Sequence, residues 1–105
     1  MSDQLAASGS RTDLVRFQLS RRAGWRMPPG GRSVARPHRF GNPYSVLDYG
    51  RVEAVRLFDV DLRAGRLQFD VADVRRELAG CSIGCWCRVG DLCHGDVLLR
   101  IANDL

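Results

Sequence analysis

The residues best suited to chemistry are Cys85, Cys87, Cys93 and His94, all within Gly84-Cys85-Trp86-Cys87-Arg88-Val89-Gly90-Asp91-Leu92-Cys93-His94-Gly95-Asp96. Thiolate and imidazole are the ligands zinc prefers, and a thiolate is also a nucleophile. Cys85 and Cys87 are two apart, so on a strand they face the same way while Trp86 faces the other. Cys93 and His94 follow after five intervening residues. Three chemistries fit this set. In one, Cys85, Cys87, Cys93 and His94 hold a structural zinc ion, although the spacing differs from paired Cys-x-x-Cys knuckles. In another, His94 and backbone amides at a helix start hold a phosphate or carboxylate, with Cys93 or Cys87 as the nucleophile. In the third, the cysteines are small core residues and His94 caps the helix. The loop of cysteine phosphatases is absent, because Cys93 stands where its arginine would fall, six positions after Cys87. Cys81 reads as core and stays outside the site.

Placing these residues requires a strand that ends near Trp86 and a helix that begins near Cys93-His94. Cys81 to Trp86 is short and apolar and reads as a buried strand, with Gly84 marking a close approach of backbone or ligand. Leu98, Ile101, Ala102 and Leu105 give the final helix one apolar face. Upstream, Leu14–Leu19 reads as a first strand, and Ser33-Val34-Ala35 as a short second one. Val52, Val55, Phe58 and Leu62 at helical spacing, followed by Gly65, predict a helix over about 50–64. Asp70 with Asp73 three positions on predicts the start of another helix, whose face is Val71, Val74 and Leu78 and which Gly80 closes. The expected fold is therefore α/β: a single compact domain over 13–105, with a small three- or four-stranded, partly parallel sheet and three helices. Residues 1–12 are expected to form a disordered tail.

Two turn-rich segments of the front half supply candidate ligand contacts. Arg21, Arg22 and Arg26 flank Trp25, and arginine beside an aromatic ring can stack on a base and pair a phosphate. Phe40-Gly41-Asn42-Pro43-Tyr44 offers the Asn42 amide to read a base edge. In the bland reading of both segments, Trp25, Phe40 and Tyr44 are core residues closing one end of the sheet. All 16 basic residues are arginine, and the net charge is +4. It is unevenly spread, with +6 over residues 1–40 and −2 over residues 41–105. A basic half suits an anionic partner such as a nucleotide, nucleoside or nucleic acid, or else is a solvated arginine-rich surface.

The 105 residues suffice for one domain. Hydrophobic residues at 45% and charged residues at 27% exclude a mostly disordered chain, a coiled coil and a collagen-like fibre. No apolar run approaches the roughly 18 residues of a membrane span, so no membrane partner is expected. The N-terminal MSDQLAASGSRTD has no apolar signal core, which sets a cytoplasmic location as the expectation. Four cysteines confined to Cys81–Cys93 are poorly placed to staple a secreted mini-protein and better placed for metal binding or thiol chemistry.

Taken together, Arg21 to Pro28, Phe40 to Tyr44, Cys85 to Cys87 and Cys93 to Leu98 resemble domain-of-unknown-function family 4326, found in bacteria and phages. The family's pattern is an Arg-Arg-x-Gly-Trp-x-Met-Pro stretch, an aromatic-Gly-Asn-Pro-aromatic stretch, Cys-Trp-Cys, and Cys-His-x-Asp-Val-Leu. The resemblance runs from about Phe17 to Asn103. Many relatives carry proline after Cys-Trp-Cys, whereas this chain has Arg88 and the short link Val89-Gly90-Asp91-Leu92. The resemblance implies an intracellular or phage-encoded protein and brings no reaction with it. The expectation from residues and resemblance together is a domain that binds a nucleotide-like or phosphate-bearing ligand at its Cys/His site, with base-processing activity in view. The alternative expectation is a zinc-stabilised binding module without catalysis.

Overall fold

The structure is a computed structural model that describes residues 14–104. The expected tail over 1–12 and Leu105 lie outside the described residues. Three strands form one sheet: β1 (Arg16–Gln18), β2 (Gly31–Ser33) and β3 (Ser82–Cys85). Their order is β1-β3-β2 and every pair is parallel, so the last strand in sequence lies at the centre. Phe17 is opposite Gly84, and Ser33 is opposite Gly84 from the other side. Beyond the regular ladder, the Leu19 amide donates to Cys85 O and the Val34 amide to Gly84 O, both at 2.9 Å. The carboxyl end of β3 is therefore held on both sides where Cys85 stands.

Four helical segments follow: α1 (Val46–Tyr49), α2 (Arg51–Arg63), α3 (Val71–Leu78) and α4 (His94–Asn103). The predicted helix over 50–64 is α2. The extra turn α1 precedes it, separated by Gly50 at φ 80, a left-handed conformation that glycine adopts without steric cost. The expected apolar face of α2 is buried at Val55, Phe58 and Leu62, while Val52 is exposed and Ala54 takes the inward place. In α3, Asp70 accepts from the Asp73 amide and Asp73 accepts from the Asp70 amide, the reciprocal cap that the sequence predicted. α4 packs against β3 and β1 and also against α2 and α3. Phe40, Phe58, Leu62, Val74, Ile83 and Leu98 form the centre of that core.

The second face of the sheet carries Phe17 and Leu19 in a smaller cluster with Ala35, Cys85 and Cys93. The ring of Trp25 lies 6.5 Å from that of Phe17, so part of the arginine-rich loop sits over this face. The close approach predicted at Gly84 comes from a side chain. A Cβ there would lie 2.5 Å from two carbons of the Phe17 ring. The second strand falls two residues earlier than predicted, over Gly31–Ser33. Gly31 itself has no room for a Cβ, being 2.9 Å from Pro28 O and 3.0 Å from the Phe17 ring.

Gly84→Ala is expected to destabilise the fold by about 1–3 kcal/mol, because the added methyl group must displace Phe17. Urea denaturation measures the loss. Adding Phe17→Leu to Gly84→Ala is expected to recover part of it.

Candidate metal and ligand site

Two junctions meet at the site. Cys85 ends the central strand, and Cys93 is the N-cap of α4, its sulfur accepting from the Gly95 amide at 3.4 Å. The chain between them turns away and returns, so the sulfurs and His94 converge from both sides. One ligand atom from each of Cys85, Cys93 and His94 lies within 4.8 Å of the other two. Cys93 Sγ is 3.8 Å from His94 Nδ1, and Cys87 Sγ is 3.9 Å from Cys85 Sγ. All four cysteines are free thiols.

His94 is buried, with its ring edge on Phe58 at a centroid distance of 5.1 Å. Its Nε2 lies 3.0 Å from Val34 O. A carbonyl only accepts, so Nε2 carries the proton and the lone pair of Nδ1 is turned toward the sulfurs. Burial pushes the imidazole below its ordinary value, which favours the neutral ring. The hydrogen bond from Cys93 is the largest cause that holds the Cys85 thiol down, to about 5. The same bond, reinforced by burial, pushes the Cys93 thiol up. Cys87 is half-buried, and Arg51 Nη1 lies 3.3 Å from its sulfur while donating to Leu92 O at 3.0 Å.

The loop that carries Cys87 is fastened by a buried arginine in β1. Arg16 Nη1 donates to Cys87 O at 2.7 Å, and its Nη2 donates to Arg88 O. Asp96 in α4 lies 3.8 Å from Arg16 Nε, a nitrogen that has no hydrogen-bond partner among the described residues. One guanidinium thus joins the first strand, the Cys-Trp-Cys loop and the first turn of α4.

A cavity of about 390 Å³ opens over the cluster, with Cys85, Cys87, Cys93 and His94 on its wall. Of the expected ligand contacts, only Asn42 lines it. That amide is already engaged, since Nδ2 donates to Ala54 O at 3.0 Å and Oδ1 accepts from the Tyr44 amide at 2.9 Å. Asn42 therefore ties its turn to α2. Arg21, Arg22, Trp25 and Arg26 are not among the residues lining the cavity. Arg21 stacks on Trp86 at 4.4 Å from the ring centroid, so it meets the site only through that ring. Trp25 covers Phe17, and Arg22 and Arg26 are exposed. The arginines that do line it are Arg36 and Arg51. No sequence motif marks either, because one lies in a turn-rich segment and the other opens a helix.

Among the described residues, no helix is long and apolar enough to cross a membrane. The family described as "Domain of unknown function (DUF4326)" matches residues 17–104. No curated protein and no solved structure matches the chain.

Arg16→Met is expected to cost about 3 kcal/mol, because it leaves buried carbonyls without a donor. It is also expected to speed hydrogen exchange in residues 86–91. Denaturation and exchange mass spectrometry read the two effects separately.

Proposed function

The chain belongs to the DUF4326 family, whose description names no activity, so its function must be read from its own side chains, and we propose that it is a zinc-stabilised ligand-binding domain. Cys85, Cys93 and His94, whose ligand atoms converge, are three of the zinc ligands; Cys87, 3.9 Å from Cys85 but outside that converging group, takes the fourth position by a shift of its loop. The observation that carries this reading is the buried imidazole, whose Nε2 proton is committed to Val34 O and whose Nδ1 faces two sulfurs. Ligating histidines are held in this way, with the far nitrogen fixed by a carbonyl or carboxylate. The separations support it. Zn–S bonds of about 2.3 Å at tetrahedral angles put sulfurs about 3.8 Å apart, and a sulfur and a nitrogen about 3.6 Å apart. The Cys85–Cys87 distance of 3.9 Å and the Cys93–His94 distance of 3.8 Å are close to both.

Charge supports it as well. Two thiolates neutralise the ion, and the third, at Cys87, has the Arg51 guanidinium 3.3 Å away to balance it. A nucleophilic role for Cys93 is disfavoured by its 1% exposure. Among the described residues the cavity wall carries no carboxylate, so a role in binding suits it better than general-base hydrolysis.

Protein purified without added metal is expected to contain one zinc per chain by elemental analysis. Cys85→Ser, Cys93→Ser and His94→Asn are each expected to lose most of it, and Cys81→Ser to keep it. Chelation is expected to lower the melting temperature by about 10 °C or more. Metal-free protein whose Cys87 alkylates rapidly at neutral pH would overturn the zinc reading in favour of thiol chemistry.

A further inference from the structure

We infer that the cavity over the Cys/His cluster binds a phosphomonoester of mononucleotide size, its phosphate held by the guanidiniums of Arg36 and Arg51. The inference rests on the zinc reading for the floor of the site, while the two arginines stand without it. The cavity of about 390 Å³ falls in the range of small-molecule sites, roughly 300–1,000 Å³. Arg36 and Arg51 are both among its lining residues, which include no aspartate or glutamate. Several surface arginines are neutralised by acids beside them, as Arg56 is by Glu53 and Arg63 by Asp59. Arg36 and Arg51 have no carboxylate partner among the described residues.

Arg51 is held in place before any ligand arrives, and the stem of Arg36 is packed on its own turn. The stem of Arg36 lies over Gly41, where a Cβ would be 2.6 Å from its Cγ. Arg51 is fixed at Nη1 by Leu92 O and Cys87 Sγ. Among the described residues its remaining N–H groups have no protein acceptor, and neither do those of Arg36. Two positive forks, that of Arg51 fixed in advance, match the two charges and the planar oxygen pairs of a phosphate monoester better than a single carboxylate. The wall also carries apolar and aromatic side chains, with Val46, Val55 and Trp86 suited to the body of the ligand. Arg21 stacks on Trp86 and helps to hold that ring in place. Arg22 and Arg26, in the same basic loop, lie outside the cavity lining and serve as internal controls.

The test is isothermal titration calorimetry on the full chain with adenosine 5′-monophosphate, inorganic phosphate and adenosine, with zinc assayed in every sample. The monophosphate is expected to bind at least tenfold more tightly than either fragment. Arg36→Gln and Arg51→Gln are each expected to weaken it at least tenfold, Arg36→Gln with zinc content unchanged, and Arg22→Gln to leave it unchanged. Inorganic phosphate binding as tightly as the nucleotide would overturn the mononucleotide class. No binding of either phosphate probe, or binding indifferent to Arg36→Gln, would overturn the inference altogether. Zinc-free protein that still binds the monophosphate through Arg36 would support this inference while removing the zinc reading. Zinc-loaded protein that binds no phosphate would do the reverse.

Discussion

The hydrogen bond from His94 Nε2 to the Val34 carbonyl governs the arrangement of the site. A buried imidazole must satisfy both nitrogens, and this carbonyl fixes which one carries the proton. Once Nε2 is committed, Nδ1 is left facing Cys93 and Cys85. The bond also requires the end of β2, the end of β3 and the start of α4 to meet at one point. The parallel order β1-β3-β2 brings them there, because it puts the carboxyl ends of all three strands on one edge, where α/β sheets usually place their ligands.

The remaining constraints keep that meeting point rigid. Gly84 lets Phe17 lie flat on the central strand, so β1 and β3 stay in register beside Cys85. Arg16 reaches across from β1 to the carbonyls of the Cys87 loop and approaches Asp96 in α4. Asn42 anchors the turn after β2 to α2, which carries Arg51. The Arg16 and Asn42 contacts are buried polar contacts made by single side chains. Removing either side chain would leave its backbone partners unsatisfied in a low-dielectric interior.

Much of this was legible in the sequence, for reasons that can be named. The helices α2, α3 and α4 declare themselves by apolar period and by caps such as Asp70 with Asp73. The Cys/His cluster is legible because all its members lie close together in the chain at a strand-to-helix boundary. What the sequence hid depends on long-range packing. Asn42 offers the same amide whether it reads a ligand or ties a turn, and only the position of Ala54 O decides. Trp25 amid arginines suggests a stacking platform, yet it covers Phe17. Arg16, Arg36 and Arg51 carry no local signature, because their roles arise from segments brought together by the fold. The break at Gly50, which splits off α1, follows from one backbone angle that apolar spacing does not report.

The basic front half thus divides into two roles. Arg36 sits on the cavity wall, and Arg16 is spent inside as a clamp, while Arg22 and Arg26 remain in solvent. X-ray absorption at the zinc edge of the purified protein decides whether the buried imidazole and the sulfurs around it are metal ligands. A shell of sulfur at about 2.3 Å together with one nitrogen at about 2.0 Å is expected. A zinc environment of oxygen and nitrogen alone, with no sulfur shell, would contradict it.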